Sequence, residues 1–107
     1  MRVLVIDDDK LIRKTVSRKL KEAGDYIVFE ASSFAEANLV IERQTIDLAF
    51  VDMDLGDSNG LSGPKILREI RKVSPSTVVI ILTGIDDPSL IEDALKNGAS
   101  EYLFKPF

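Results

Sequence analysis

Short apolar runs alternate with stretches of helical period along this chain, and no other feature limits its fold so tightly. The apolar runs are Val3–Ile6, Tyr26–Phe29, Leu48–Val51, Val78–Leu82 and Tyr102–Phe104. Each is too short for a helix of ordinary length, and the fourth is the most β-branched, so all five read as strands. Between them, apolar residues recur at helical spacing. Leu11, Ile12, Val16, Leu20 and Ala23 make the first such stripe, with Asp9 placed to cap it and Gly24 to end it. Ser33 and Glu36 form a capping box ahead of Phe34, Ala37, Val40 and Ile41. Ile66, Leu67, Ile70 and Val73 face inward from a third helix with Pro64 in its first turn. Asp87 and Pro88 open a fourth, and Asn97-Gly98 closes it. Strands and helices in strict alternation predict an α/β domain: a parallel sheet with crossover helices, over residues 1–107 as one unit.

That topology makes the last residue of each apolar run informative. In a parallel sheet the carboxyl ends of the strands share one edge, where ligands bind. Asp7 and Asp8 follow the first run, Asp52 the third, Thr83 the fourth and Lys105 the last. Three carboxylates, a hydroxyl and an ammonium are therefore expected in one cleft. Any one of them has a plainer reading. A strand-end acid often caps the next helix, Thr83 alone is an ordinary turn residue, and Lys105 alone is an ordinary surface lysine. Together they are chemically complete for phosphoryl transfer to a carboxylate. Clustered acids need a cation, and hard oxygen donors suit Mg²⁺. A carboxylate in that field becomes a nucleophile toward phosphorus, while a lysine and a hydroxyl take phosphate oxygens.

Composition narrows the chemistry further. The chain has no histidine and no cysteine, which removes the usual general base, zinc ligands and disulfides. A net charge of −4 gives no electrostatic reason to expect direct nucleic-acid binding. No apolar run approaches the roughly 18 residues of a membrane span, and the N-terminus reads as a strand rather than a signal segment. A cytoplasmic protein with no membrane contact is expected. Lys10, Arg13, Lys14, Arg18 and Lys21 occupy polar positions of the first helix, as a solvated face or a docking face for an acidic partner.

The segments VLVIDDD, DLAFVDMDL, VVIILTG and GASEYLFKPF, in this order, resemble the receiver domains of two-component response regulators. The resemblance covers the whole chain. It implies a flavodoxin-like, doubly wound sheet of order 2-1-3-4-5. It implies that Asp52 is the phosphoacceptor, that Asp7 and Asp8 hold Mg²⁺ with Asp52 and the backbone carbonyl of Asp54, and that Lys105 pairs with the phosphate. Thr83 and Tyr102 take the places of the switch hydroxyl and switch aromatic. The implied donor is a sensor histidine kinase or a histidine phosphotransfer protein. The implied product is a changed output surface for a downstream domain or protein, and a homodimer is also compatible. The protein would be a phosphorylation switch, not an enzyme acting on outside substrates.

Two departures bear on this. The stretch Leu55–Gly63 has Gly56 where the family usually has proline; it is about three residues longer than usual if Gly63 takes the place of the conventional loop glycine, and if Asn59-Gly60 does, the extra length lies at the start of the third helix. The chain also stops at Phe107, directly after the last strand, where a helix is expected. The natural chain is thus expected to continue, and apolar surface on the first-helix side of the sheet is expected to be open without that helix. Two other readings compete. A degenerate receiver would act only through protein contacts. A haloacid-dehalogenase-type phosphatase would use Asp52-Met53-Asp54 as nucleophile and acid, but the magnesium acids of that family follow the nucleophile, whereas Asp7 and Asp8 precede it.

Overall fold

A computed structural model describes residues 1–53, 63–84 and 88–104. The elements run β1 (Arg2–Ile6), α1 (Lys10–Ala23), β2 (Ile27–Ala31), α2 (Phe34–Arg43), β3 (Leu48–Asp52), α3 (Gly63–Val73), β4 (Val78–Thr83), α4 (Pro88–Lys96) and β5 (Glu101–Phe104). The strands form one parallel sheet of order β2-β1-β3-β4-β5, as the alternation and the resemblance led us to expect. Among the described residues no helix follows β5, and no helix is long and apolar enough to cross a membrane.

The strand period of two sorts the core into two layers. Leu4, Ile6, Ala49, Val51, Val79 and Ile81 point to one face, where Ala37 of α2, Ile66, Leu67 and Ile70 of α3, and Ala94 of α4 cover them. Val3, Val5, Phe50 and Leu82 point to the other face, which α1 covers with Val16, flanked by Ile12 and Leu20. One helix cannot cover a five-stranded face. An apolar groove lined by Val16, Leu20, Phe50, Leu82 and Leu103 remains beside α1, and Leu103 is 42% exposed. This is the open strip anticipated on the first-helix side.

Local chemistry sets most of the boundaries. Asp9 caps α1 by accepting from the amides of Leu11 and Ile12. Gly24 ends α1 with extended backbone (φ 173°), not with the left-handed turn that glycine usually supplies. Gly98 does use positive φ (109°), after α4. Ser33 caps α2 through the amide of Glu36 at 3.2 Å. The return arm of the expected capping box lands one residue early, because the Glu36 carboxylate accepts from the Ser32 amide (2.9 Å) and hydroxyl (2.6 Å). The second strand lies one residue later than expected at its start and continues to Ala31. Val73, expected to face inward, is half exposed, since it is the last residue of α3, where the chain turns through Ser74 toward β4. Asp87 lies outside the described residues.

Candidate functional site

The carboxyl edge of the sheet is built by sequence proximity to strand ends. Asp52 is the last residue of β3, Thr83 the last of β4, and Asp7 directly follows β1. The ladder sets their level. The amide of Asp7 donates to Ala31 at the end of β2 (3.1 Å), and the amide of Met53 donates to Leu82 (2.9 Å). Asp7, Asp52 and Thr83 are all buried, with Asp7 fully inaccessible. Asp8 stands two residues beyond the strand and is exposed.

Carboxylate oxygens of Asp7, Asp8 and Asp52 lie within 4.8 Å of one another. Three like charges at that spacing, two of them withdrawn from water, repel strongly unless a cation joins them. The donors are all hard oxygens, and the exposed side of the cluster, at Asp8, leaves room for water. That donor set fits a hard divalent cation better than a soft metal. The Asp7 side chain is also held locally, its Oδ1 accepting the amide of Asp9 at 2.9 Å.

Tyr102 is half-buried in β5. Thr83 pairs in register with Phe104, and Ile81 with Tyr102, so Thr83 and Tyr102 project from the same face of the sheet. The Tyr102 ring meets Phe104 edge-on, with centroids 5.3 Å apart and planes at 75°. Pro88, Ile91 and Leu95 of α4 complete a groove around the two rings. Asp54, Lys105 and the stretch from Leu55 to Ser62 lie outside the described residues. Of the predicted set, then, the fold brings Asp7, Asp8 and Asp52 together and sets Thr83 on the neighbouring strand end.

Sequence reasoning missed Arg13. It belongs by position to the polar face of α1, where Lys10, Lys14, Arg18 and Lys21 are exposed. The Arg13 side chain is only 15% exposed. Its Nη1 donates to the carbonyl of Asp7 at 2.7 Å, and its Nε lies 3.6 Å from Glu30 Oε1. One signal could have flagged it. Glu30 is the single charged residue in the strand IVFEA and calls for a partner on the helix that packs there. Arg13 also helps, after the Ser32 hydroxyl and amide, to hold the Glu36 carboxyl below its ordinary value of 4.5.

Comparison with known proteins agrees with this layout. Residues 3–107 match the family model of the response regulator receiver domain. The chain is 37% identical over 105 residues to the alginate biosynthesis transcriptional regulatory protein AlgB of Pseudomonas syringae pv. tomato, covering 98% of this chain but 22% of that protein. It thus spans less than a quarter of that relative's length. A response regulator receiver domain protein from Clostridium thermocellum superposes with a TM-score of 0.86 at 41% identity, covering 99% of this chain and 82% of the other. A response regulator from Burkholderia pseudomallei, solved with a phosphorylated aspartic acid, a calcium ion and citrate, superposes with a TM-score of 0.88 at 30% identity, covering 99% of this chain and 60% of the other. By its sequence match, its strand order and its acidic strand-end cluster, the chain belongs to the response regulator receiver domain family.

Proposed function

We propose that this domain is a phosphorylation switch in which Asp52 accepts a phosphoryl group from the phosphohistidine of a sensor histidine kinase or a phosphotransfer protein. The observation that carries the reading is the meeting of Asp7, Asp8 and Asp52 within 4.8 Å at the strand ends. Asp52 is the nucleophile because it terminates the central strand β3, flanked by the acids after β1 and by Thr83 on β4. A carboxylate oxygen of Asp52 forms the new O–P bond as the P–N bond of the donor breaks, and the departing imidazole keeps the bonding pair. Asp7, Asp8 and Asp52, with the carbonyl of Asp54, would hold Mg²⁺. When bound, that ion neutralises the cluster and offsets the charge of the incoming phosphoryl group. Lys105 is assigned the remaining charge compensation.

The readout uses residues already on one face of the sheet. Thr83 donates its hydroxyl to a phosphoryl oxygen on Asp52, and Tyr102, on the same face of the sheet, turns toward the space that Thr83 vacates. The groove between α4 and β5 changes shape in consequence, and a downstream domain or protein reads it. The protein modifies itself and turns over no outside substrate. It works where its kinase presents phosphohistidine, in the cytoplasm.

Intact-mass measurement after incubation with acetyl phosphate, with and without Mg²⁺, tests this on wild type and Asp52→Asn. The expected result is a Mg²⁺-dependent, hydroxylamine-labile gain of one phosphoryl group that is absent in the variant. No gain with acetyl phosphate or a phosphohistidine donor would leave an interaction module, and steady phosphate release from small phosphoesters would mean a phosphatase.

A further inference from the structure

The structure assigns to Arg13 a positioning role: its guanidinium holds the Asp7–Asp8 peptide so that the exposed Asp8 carboxylate stays with the buried pair. This inference rests on the reading of the cluster as a cation site. Asp7 and Asp52 are placed by the sheet, through burial and ladder hydrogen bonds. Asp8 has neither support. It lies past the strand and is exposed, yet its carboxylate reaches within 4.8 Å of the other two. An exposed side chain past the strand end is placed by the backbone that carries it, so whatever orients that backbone sets where the Asp8 carboxylate lies.

The peptide between Asp7 and Asp8 is gripped at its carbonyl. Arg13 sits one turn into α1, its amide donating to the Asp9 carbonyl at 3.1 Å, and side chains of a helix lean toward its N-terminus. That lean brings Nη1 to the Asp7 carbonyl at 2.7 Å. The other side of the fork lies at Glu30 Oε1, 3.6 Å from Nε. Glu30 is itself fixed by strand β2 and by Lys14 Nζ at 3.0 Å. The guanidinium thus ties the turn carrying Asp8 to the neighbouring strand. The planar guanidinium hydrogen-bonds the Asp7 carbonyl while it stands as an ion pair, beyond hydrogen-bond distance, to Glu30, an arrangement that a point-charge ammonium does not reproduce. Arg13 touches no donor atom of the proposed cation site and acts through Asp7 and Asp8 alone. Groups that orient metal ligands in this way are commonly worth about 10- to 100-fold in metal affinity.

Calorimetric titration of the metal-free protein with Mg²⁺ tests the assignment, in parallel with urea unfolding of the same variants. Arg13→Met keeps the apolar stem and removes every donor, and its Mg²⁺ dissociation constant is expected to rise about tenfold. Arg13→Lys should fall between Arg13→Met and wild type, and Glu30→Gln should shift affinity in the same direction by less. A purely structural arginine would lower the unfolding midpoint and leave Mg²⁺ affinity unchanged, and that outcome overturns the inference alone. Should Arg13→Met fail to fold, Glu30→Gln decides, since wild-type affinity in that variant is equally fatal. Wild-type protein that binds no Mg²⁺ at millimolar concentration would overturn the cation-site reading and this inference with it.

Discussion

The two ends of the sheet handle polar groups in opposite ways. At the amino end, donors and acceptors are matched across elements far apart in sequence. Arg71 of α3 donates from Nε (2.9 Å) and Nη2 (2.7 Å) to the carbonyl of Gly98, and from Nη1 to the carbonyls of Pro75 and Thr77. The buried Thr77 hydroxyl donates to the Ile46 carbonyl at 2.8 Å, so its contact with Ser74 Oγ at 2.6 Å must be accepted from serine. Asp47 accepts the Arg2 amide at 2.8 Å and closes the edge below β1. At the carboxyl end the same strands deliver three groups of one charge to one point. One end ties loops to one another and the other gathers acids around one point. A domain of this size can hold a repulsive cluster only if the rest of the sheet is held firmly, because net stability is a small difference between large terms.

The comparison can be broken at either end. The largest change is expected at the amino end. Arg71→Met removes donors from part-buried carbonyls on two loops, and unsatisfied groups of this kind cost about 1–3 kcal/mol each, so a loss of about 3 kcal/mol in urea unfolding is expected. Mg²⁺ affinity and Asp52 phosphorylation of the folded fraction should be unchanged. If they fall together with stability, the two ends are not separable.

A smaller effect of opposite sign is expected at the carboxyl end. Asp52→Asn removes one of three mutually repelling charges and should stabilise the metal-free protein by about 1–2 kcal/mol, well below the unscreened Coulomb figure for charges at this spacing. Added Mg²⁺ should erase that gain by stabilising wild type preferentially. A variant less stable than wild type in chelator would show that Asp52 is held by compensating partners rather than strained by its neighbours.

The smallest effect concerns Glu36, whose carboxyl is held below 4.5 by the Ser32 hydroxyl and amide and by Arg13. A depressed folded value means stability that is fully present above the unfolded value and lost as pH falls through the folded one. Glu36→Gln should therefore lower the unfolding midpoint slightly near neutrality and leave it almost unchanged well below pH 4.5, so that the decline on acidification is flatter than in wild type. An equal loss at both pH values would assign Glu36 a packing role instead.

Much of this was legible before any coordinates. Val78–Leu82 could hardly be anything but a strand, and the alternation around it led to a parallel sheet. Once the sheet is parallel, Asp7, Asp8, Asp52 and Thr83 must share an edge, because each sits at a strand's end and all strands run the same way. That inference needed only the strand period and the direction of the chain. Arg71 was not legible, and Arg13 only indirectly, through the lone charge of Glu30 in β2. A charged residue on a helix reads as solvated by default, and nothing in the local pattern distinguishes Arg13 from exposed Lys14 beside it. Nor could the return arm of Glu36 be placed to the residue, since Ser32 and Ser33 offer it similar donors.

The division has one physical cause. Periodicity of burial and the stereochemistry of caps act over a few residues, so the sequence by itself determined the element order, the sheet and the convergence of acids at its edge. Which long cation swings inward to a carbonyl is settled by packing across elements. The sequence distance from Arg71 to the Gly98 carbonyl is 27 residues, and from Lys14 to Glu30 it is 16. Only the tertiary structure brings such partners within hydrogen-bond reach, and so only it decided what holds the two ends of the sheet in place.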